Sequence, residues 1–305
     1  MSGLARPLFE EVLPDTYLLK VPFGPVWTGI VLVRGGTNVL IDSSHLEPER
    51  YLLPALAELG LGAADIGWLL NTHVHGDHIG GHHALVTKYG LKTATLASAA
   101  DALRDPVKVA IRVRTRFPKN SPPPQSYLKG VEPDRLVAEG ELLEGRFRVV
   151  ATPGHDDDCL TWIDTKTGTA FTGDSLQANG TVCQGVGFYR SLPAYRATLA
   201  KLREQGLANI VCGHDYDGIG DVIRGKDAVA RALAYCADRV DLYGARIRSY
   251  MAAASRGASR PGPSEDEDLL VDLALRLIDE VGCGRPAALF LALHTVSEHL
   301  KEIDA

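Results

Sequence analysis

A layered α/β fold is what the sequence predicts, and three observations predict it. Short apolar runs bounded by glycine-rich turns recur between residues 17 and 214, as half-buried and buried strands do. Amphipathic helical stretches fall between them, but without the strict strand–helix alternation that a barrel requires. Beyond about residue 222 the chain turns helical throughout, so residues 1–222 and 223–305 read as a mixed unit and a C-terminal helical extension.

The elements follow in order. "TYLLKV", "GIVLV" and "NVLID" read as strands over residues 17–42, the last two joined by the turn "RGGT". "EPERYLLPALAELG" has helical periodicity and closes on Gly60, a suitable C-cap. The strand "IGWLL" then delivers the loop "NTHVHGDHIGG", and "HHALVTKYG" continues as helix before the strand "KTATLAS". Residues 101–146 break the rhythm: Arg104, Lys108, Arg112, Arg114, Arg116 and Lys119 precede "SPPPQS", which reads as a basic helix followed by a stiff loop. Strands resume at "RFRVVATPGH", "LTWID" and "TAFTGD"; a helix follows around "PAYRATLAKLREQG", and "NIVCGHD" ends the pattern. In the extension, one long helix spans residues 226–254, "SRGASRPGPSEDED" is a linker, Ser264 and Glu267 suit a capping box, and Pro286 suits the first turn of a last helix.

Composition narrows the function classes. With 305 residues, 45% of them hydrophobic, the chain can bury a large core. Its 32 basic and 38 acidic residues give a net charge of −6, so no global positive field gathers nucleic acid or an anionic membrane. The opening residues lack a secretory pattern and no apolar run approaches the roughly 18 residues of a membrane span, which predicts a cytoplasmic protein. Cys159, Cys183, Cys212, Cys236 and Cys283 are odd in number and lack CxxC spacing, as expected of reduced thiols packed as small hydrophobes.

The chemistry is concentrated at strand ends. His73, His75, Asp77 and His78 crowd one loop directly after a strand, and imidazoles and carboxylates are the natural ligands of zinc and similar divalent ions. Extended alternation aims His73 and His75 to one side, while Asp77 and His78, past Gly76, address a neighbouring position, enough for parts of two metal sites. Three more strands end in glycine and then a ligand type: "TPGH" in His155, "TGD" in Asp174, "CGH" in His214.

Together "THVHGDHIGG", "TPGH", "TGD" and "CGH" resemble, in order and spacing, the metallo-beta-lactamase superfamily, which includes glyoxalase II and lactonases; the match covers roughly residues 8–222. The resemblance implies an αβ/βα sandwich with two divalent metal ions at one edge, zinc first, with iron or manganese as alternatives. It implies that His73, His75 and His155 bind one ion, that Asp77, His78 and His214 bind the other, and that Asp174 bridges them. An aspartate at 174 points to the glyoxalase-II-like and lactonase-like branch. Two ions roughly 3.5–4 Å apart acidify a shared water, so the implied reaction is hydrolysis of a small ester, thioester or lactone by metal-bound hydroxide, with Asp77 orienting it. Asp42 matches a position that supports ligands in the family. Tyr216, two residues after His214, is the foremost candidate proton donor, with Tyr189 and Tyr195 behind it and ordinary packing the alternative for all three. His45 lies near the site edge as a substrate contact or a packed residue; His82 and His83 read as solvated or packed on the helix after the loop.

Two departures concern the substrate pocket. "HDDDCL" follows TPGH with three acids that add negative potential or cap a turn, and "GHDYDG" replaces the frequent Gly-His-Gly. The basic segment 104–119 reads as a solvated helix face or as a lid that attracts an anionic substrate. Competing functions are an iron-dependent persulfide dioxygenase of the same fold, a metal-dependent endoribonuclease or phosphodiesterase suggested by the tail "ALHTVSEHLKEI", and a non-enzymatic role with structural metals. A small-molecule substrate is expected, with no nucleic acid and no membrane, and the tail allows a homodimer.

Overall fold

The computed structural model describes residues 7–45, 47–254, 264–284 and 286–304. The first sheet comprises β1 (Phe9–Leu13), β2 (Thr16–Phe23), β3 (Val26–Val33), β4 (Asn38–Ile41), β5 (Ile66–Leu70), β6 (Thr93–Leu96) and β7 (Arg135–Val137), hydrogen-bonded in that order. β1 to β4 form an antiparallel meander, after which β4 to β7 pair parallel. Parallel neighbours need crossovers. These contain α1 (Leu52–Glu58), then α2 (Gly76–Ile79) and α3 (His82–Tyr89), then α4 (Ala100–Arg104) and α5 (Pro106–Thr115).

The second sheet is built from β8 (Leu142–Leu143), β9 (Phe147–Ala151), β10 (Leu160–Asp164), β11 (Thr169–Gly173), β12 (Asn209–Tyr216) and β13 (Gly220–Arg224). Its strands are antiparallel except β11 and β12, whose parallel pairing is bridged by α6 (Leu192–Glu204). Three further helices follow: α7 (Lys226–Ala254), α8 (Glu267–Val281) and α9 (Leu289–Asp304).

The two-residue period of the strands explains the layers. Val31, Val33, Ile41 and Leu70 pack against Phe147, Val149, Trp162, Phe171 and Val211 between the sheets. Their neighbours in sequence face outward: Ile30, Leu32 and Leu40 meet Leu52, Leu56 and Leu85 of α1 and α3. Val150, Ile163, Ala170 and Ile210 meet α6 and the C-terminal helices. The result is helix, sheet, sheet, helix. Each large apolar side chain so buried contributes roughly 1.5–3 kcal/mol relative to exposure.

Several local expectations are corrected. β1 and β13 are half-exposed strands whose mixed polar composition hides the period, and β7 and β8 are too short to display one. β13 also crosses residue 222, and α7 to α9 share one apolar cluster with the outer face of the second sheet. α8 is capped not by Ser264 with Glu267 but by Asp266, whose carboxylate accepts the Asp268 and Leu269 amides at 3.2 Å. Pro286 precedes α9, which starts at Leu289, so it does not occupy the first turn. Residues 255–263 of the expected linker lie outside the described residues.

Candidate metal centre

All seven side chains expected to meet do meet. His73, His75 and His155 offer ligand atoms within 4.8 Å of one another, as do His73, His78 and Asp174, and again Asp77, His78 and His214. His73 belongs to the first two groups and His78 to the last two, so the cluster is continuous. At its centre the Asp174 carboxylate lies 3.5 Å from both His155 Nε2 and His214 Nε2 through one oxygen and 3.3 Å from His78 Nε2 through the other. Asp77 lies 3.2 Å from His214 Nε2.

Strand ends and close glycine contacts bring these groups together. β5 runs into the His73–His78 loop, β11 ends in Gly173 before Asp174, and β12 carries His214. A Cβ on Gly213 would stand 2.6 Å from an Asp174 oxygen and 2.7 Å from His78 Cε1, and one on Gly173 would strike the Thr72 hydroxyl at 2.1 Å. The glycine before each of these two ligands is therefore a steric requirement of the cluster. The two sheets are also tied here, by Leu160 N–H to the Thr72 carbonyl at 2.8 Å and by Trp162 Nε1–H to the Asn71 carbonyl at 3.0 Å.

Outer hydrogen bonds decide which ring nitrogen faces inward. A carbonyl only accepts, so the Phe188 carbonyl fixes the proton on His155 Nδ1 at 3.0 Å and the Trp27 carbonyl fixes it on His214 Nδ1 at 2.6 Å. Asp42 accepts from His78 Nδ1 at 2.8 Å, and Asp156 from His75 Nε2 at 3.1 Å. Four histidines thus turn their other nitrogen toward the common space, an arrangement that raises ligand basicity and locks ring orientation. Among the described residues, the buried Nε2 of His73 and Oδ1 of Asp174 have no hydrogen-bond partner. Buried lone pairs left so are costly, and a divalent cation is the group that would satisfy them; the residues fit it.

Charges within the cluster compensate one another. Burial opposes a proton on His78, but Asp174, Asp77 and Asp42 outweigh it and raise its pKa well above the usual value. Against the same opposition from burial, Asp174 and Asp77 bring His214 up to about 10. Burial alone would raise both carboxyls; the His78 and His214 charges instead hold Asp77 and Asp174 well below the ordinary range. Burial pushes His155 down to about 4 and His73 well below 6.5. An arriving cation would therefore displace protons from His78 and His214.

The remaining candidates separate cleanly. Asp42, buried, also accepts the Thr72 amide and hydroxyl, both at 2.8 Å. Tyr216 is fully buried behind the cluster: its ring stands edge-on to His214 with centroids 6.0 Å apart, its hydroxyl interacts with Asp174 and accepts from Gln177 Nε2 at 3.2 Å, and it does not line the cavity. Tyr189 and Tyr195 are likewise core residues, bonded to His299 and to the Gln177 amide. His82 is buried against Ser43 at 2.7 Å, His83 meets the Gly130 carbonyl, and His45 packs behind the cavity-lining Phe23 without lining the cavity itself. All five cysteines are free thiols.

Sequence alone does not distinguish the three acids, and they prove to differ. Asp156 is buried and receives His75, Arg190 and Arg112; Asp158 accepts the Val74 amide at 2.8 Å, and burial raises its pKa to about 6; Asp157 is exposed and pairs with Arg112. Beside the cluster opens a cavity of about 620 Å³ walled by the β2–β3 turn, α5, residues 119–128, residues 181–188 and residues 286–291. Of the basic segment, only Arg114 and Lys119 reach it.

Comparisons agree with this geometry. A hydroxyacylglutathione hydrolase of Chelativorans sp. (strain BNC1) is 31% identical over 185 residues, covering 59% of this chain; the chain spans 58% of that relative's length. The metallo-beta-lactamase family protein TTHA1429 from Thermus thermophilus superposes with a TM-score of 0.67 at 22% identity, over 96% of this chain and 95% of the other. TTHA1623, crystallised in a di-iron-bound form, superposes at 0.50 with 28% identity over 70% of this chain and 97% of its own. The family model described as the metallo-beta-lactamase superfamily matches residues 21–214, and the chain belongs to that superfamily.

Proposed function

We propose that the protein is a dinuclear metal-dependent hydrolase of a small ester, thioester or lactone. The observation that carries the reading is the position of the Asp174 carboxylate, within 3.5 Å of His78, His155 and His214, between two groups of inward-facing nitrogens. His73, His75 and His155 would hold one ion, Asp77, His78 and His214 the other, and Asp174 both. When bound, such ions acidify water and polarise a carbonyl.

The chain's own residues supply the rest. Asp77 lines the cavity and sits beside the cluster, placed to orient a water by hydrogen bonding and to take its proton on a carboxylate oxygen. Val74, Phe188 and Phe290 line the space and exclude bulk water from the acyl group. The relative named for hydrolysis of hydroxyacylglutathione supports acyl-bond cleavage, and the di-iron form of TTHA1623 keeps iron beside zinc as the metal.

The reading is tested by metal analysis of freshly purified protein, followed by turnover of aryl esters, thioesters and lactones. Two ions per chain and metal-dependent turnover are expected. Asp174→Ala should lower the metal content and cut turnover at least about 100-fold. One iron per chain, with oxygen consumed in the presence of a persulfide, would replace hydrolysis with the dioxygenase reading.

A further inference from the structure

The basic segment does not act as a block, because its cations are partnered one by one. Arg104 pairs with Asp101 and Glu132, Lys108 with Asp105, Arg112 with Asp156 and Asp157, and Lys119 with Asp268. Arg116 donates to Ser297 at 2.9 Å. Arg114 differs: among the described residues it has neither a carboxylate within salt-bridge distance nor a hydrogen-bond partner, yet it is half-buried in the cavity wall. Its guanidinium stacks 4.7 Å over the Phe290 ring, which fixes the plane of its donors. Burial lowers its pKa, the mark of a cation stripped of water without full compensation. Asp77, the carboxylate whose charge reaches it, is already engaged by His214 and His78.

Beyond the cluster the cavity wall is mainly apolar, with Val26, Val113, Leu128, Phe188, Leu289 and Phe290, and its polar remainder is mostly neutral, Asn120, Ser121, Gln125, Thr181 and Gln184, with Lys119 paired to Asp268. A mainly apolar chamber whose wall holds both an oriented, unpaired guanidinium and the acyl-cleaving cluster selects for a molecule with two ends. We propose that Arg114 receives a carboxylate of the substrate, so that the preferred substrates are small esters or thioesters whose apolar acyl chain ends in a free carboxylate. This rests on the hydrolase reading for the reaction, and on Arg114 alone for the selectivity.

The test compares the 4-nitrophenyl monoester of adipic acid with 4-nitrophenyl hexanoate on the metal-loaded protein, which differ at the far end of the chain in one carboxylate. The wild type should prefer the acid, and Arg114→Met should reduce that preference about 10- to 100-fold, chiefly through KM, with Arg114→Lys recovering part of it. A calorimetric arm uses two amides that are not turned over, the N-methyl monoamide of adipic acid and its neutral dimethyl diamide. Tighter binding of the acid to wild type, lost in Arg114→Met, supports the subsite even where neither ester is cleaved, an outcome that would count against hydrolysis alone. Turnover with the same acid-to-neutral ratio in wild type and Arg114→Met overturns the proposal and leaves the hydrolase reading standing.

Discussion

Asp42 shows how much one residue can settle. It follows β4 with φ at +62°, a left-handed conformation that aspartate and asparagine tolerate better than other side-chain-bearing residues. From there its carboxylate receives three donors, the Thr72 amide, the Thr72 hydroxyl and His78 Nδ1, each at 2.8 Å. Asp42→Asn keeps the backbone conformation and an acceptor for the amide but cannot accept from all three. Metal affinity should fall about 10- to 100-fold in a competitive chelator titration, with the fold retained by circular dichroism; unchanged affinity would show that His78 needs no such partner. Residues of this kind were legible because a strand end followed by Asp is a local pattern. Asp156 was not, because three adjacent acids carry no sign of which one reaches His75. That choice is made by Arg112 and Arg190, 44 and 34 residues away in sequence.

Among elements, the strands that carry the site were readable and the ones that frame it were not. β5, β9, β11 and β12 are buried runs with apolar residues on one or both faces, whereas β1 and β13 are half-exposed strands without a clear period. The glycine before the ligand in β12 was visible as a motif, but its reason lies in three dimensions. Gly213 leaves no room for a Cβ between Asp174 and His78. Gly213→Ala should therefore push those two ligands apart and weaken metal binding at least about tenfold, while chelator-treated variant and wild type unfold within about 2 kcal/mol of each other, since overpacking strain falls on the cluster. A global loss of stability with metal affinity intact would contradict this account of the motif. The cavity wall at residues 286–291 was illegible for a plainer reason: nothing local in a C-terminal stretch announces contact with α5 and the β2–β3 turn.

At the scale of the whole molecule, the polar stripe of α9 faces the protein rather than solvent. His294 donates to the Val113 carbonyl at 3.1 Å and His299 bonds the Tyr189 hydroxyl at 2.6 Å, so α9 is joined to both α5 and the loop that carries the His155 anchor Phe188. Burial lowers His294 and His299 to about 3, and it does the same to His82. Between pH 6.5 and about 3 the unfolded chain binds these protons and the folded one does not, so stability is complete above pH 6.5 and is lost as the pH falls. Three such groups give a slope of about 4 kcal/mol per pH unit in that window. Other titrating groups add to or oppose this slope, but they cancel between wild type and His294→Gln, which keeps a donor for Val113 and removes one titration. The difference in unfolding free energy, measured by denaturant midpoints at fixed metal loading, should move about 2 kcal/mol in favour of the variant from pH 7 to pH 5. Parallel curves would mean that His294 takes up its proton within the folded protein and that the α9–α5 contact opens to water.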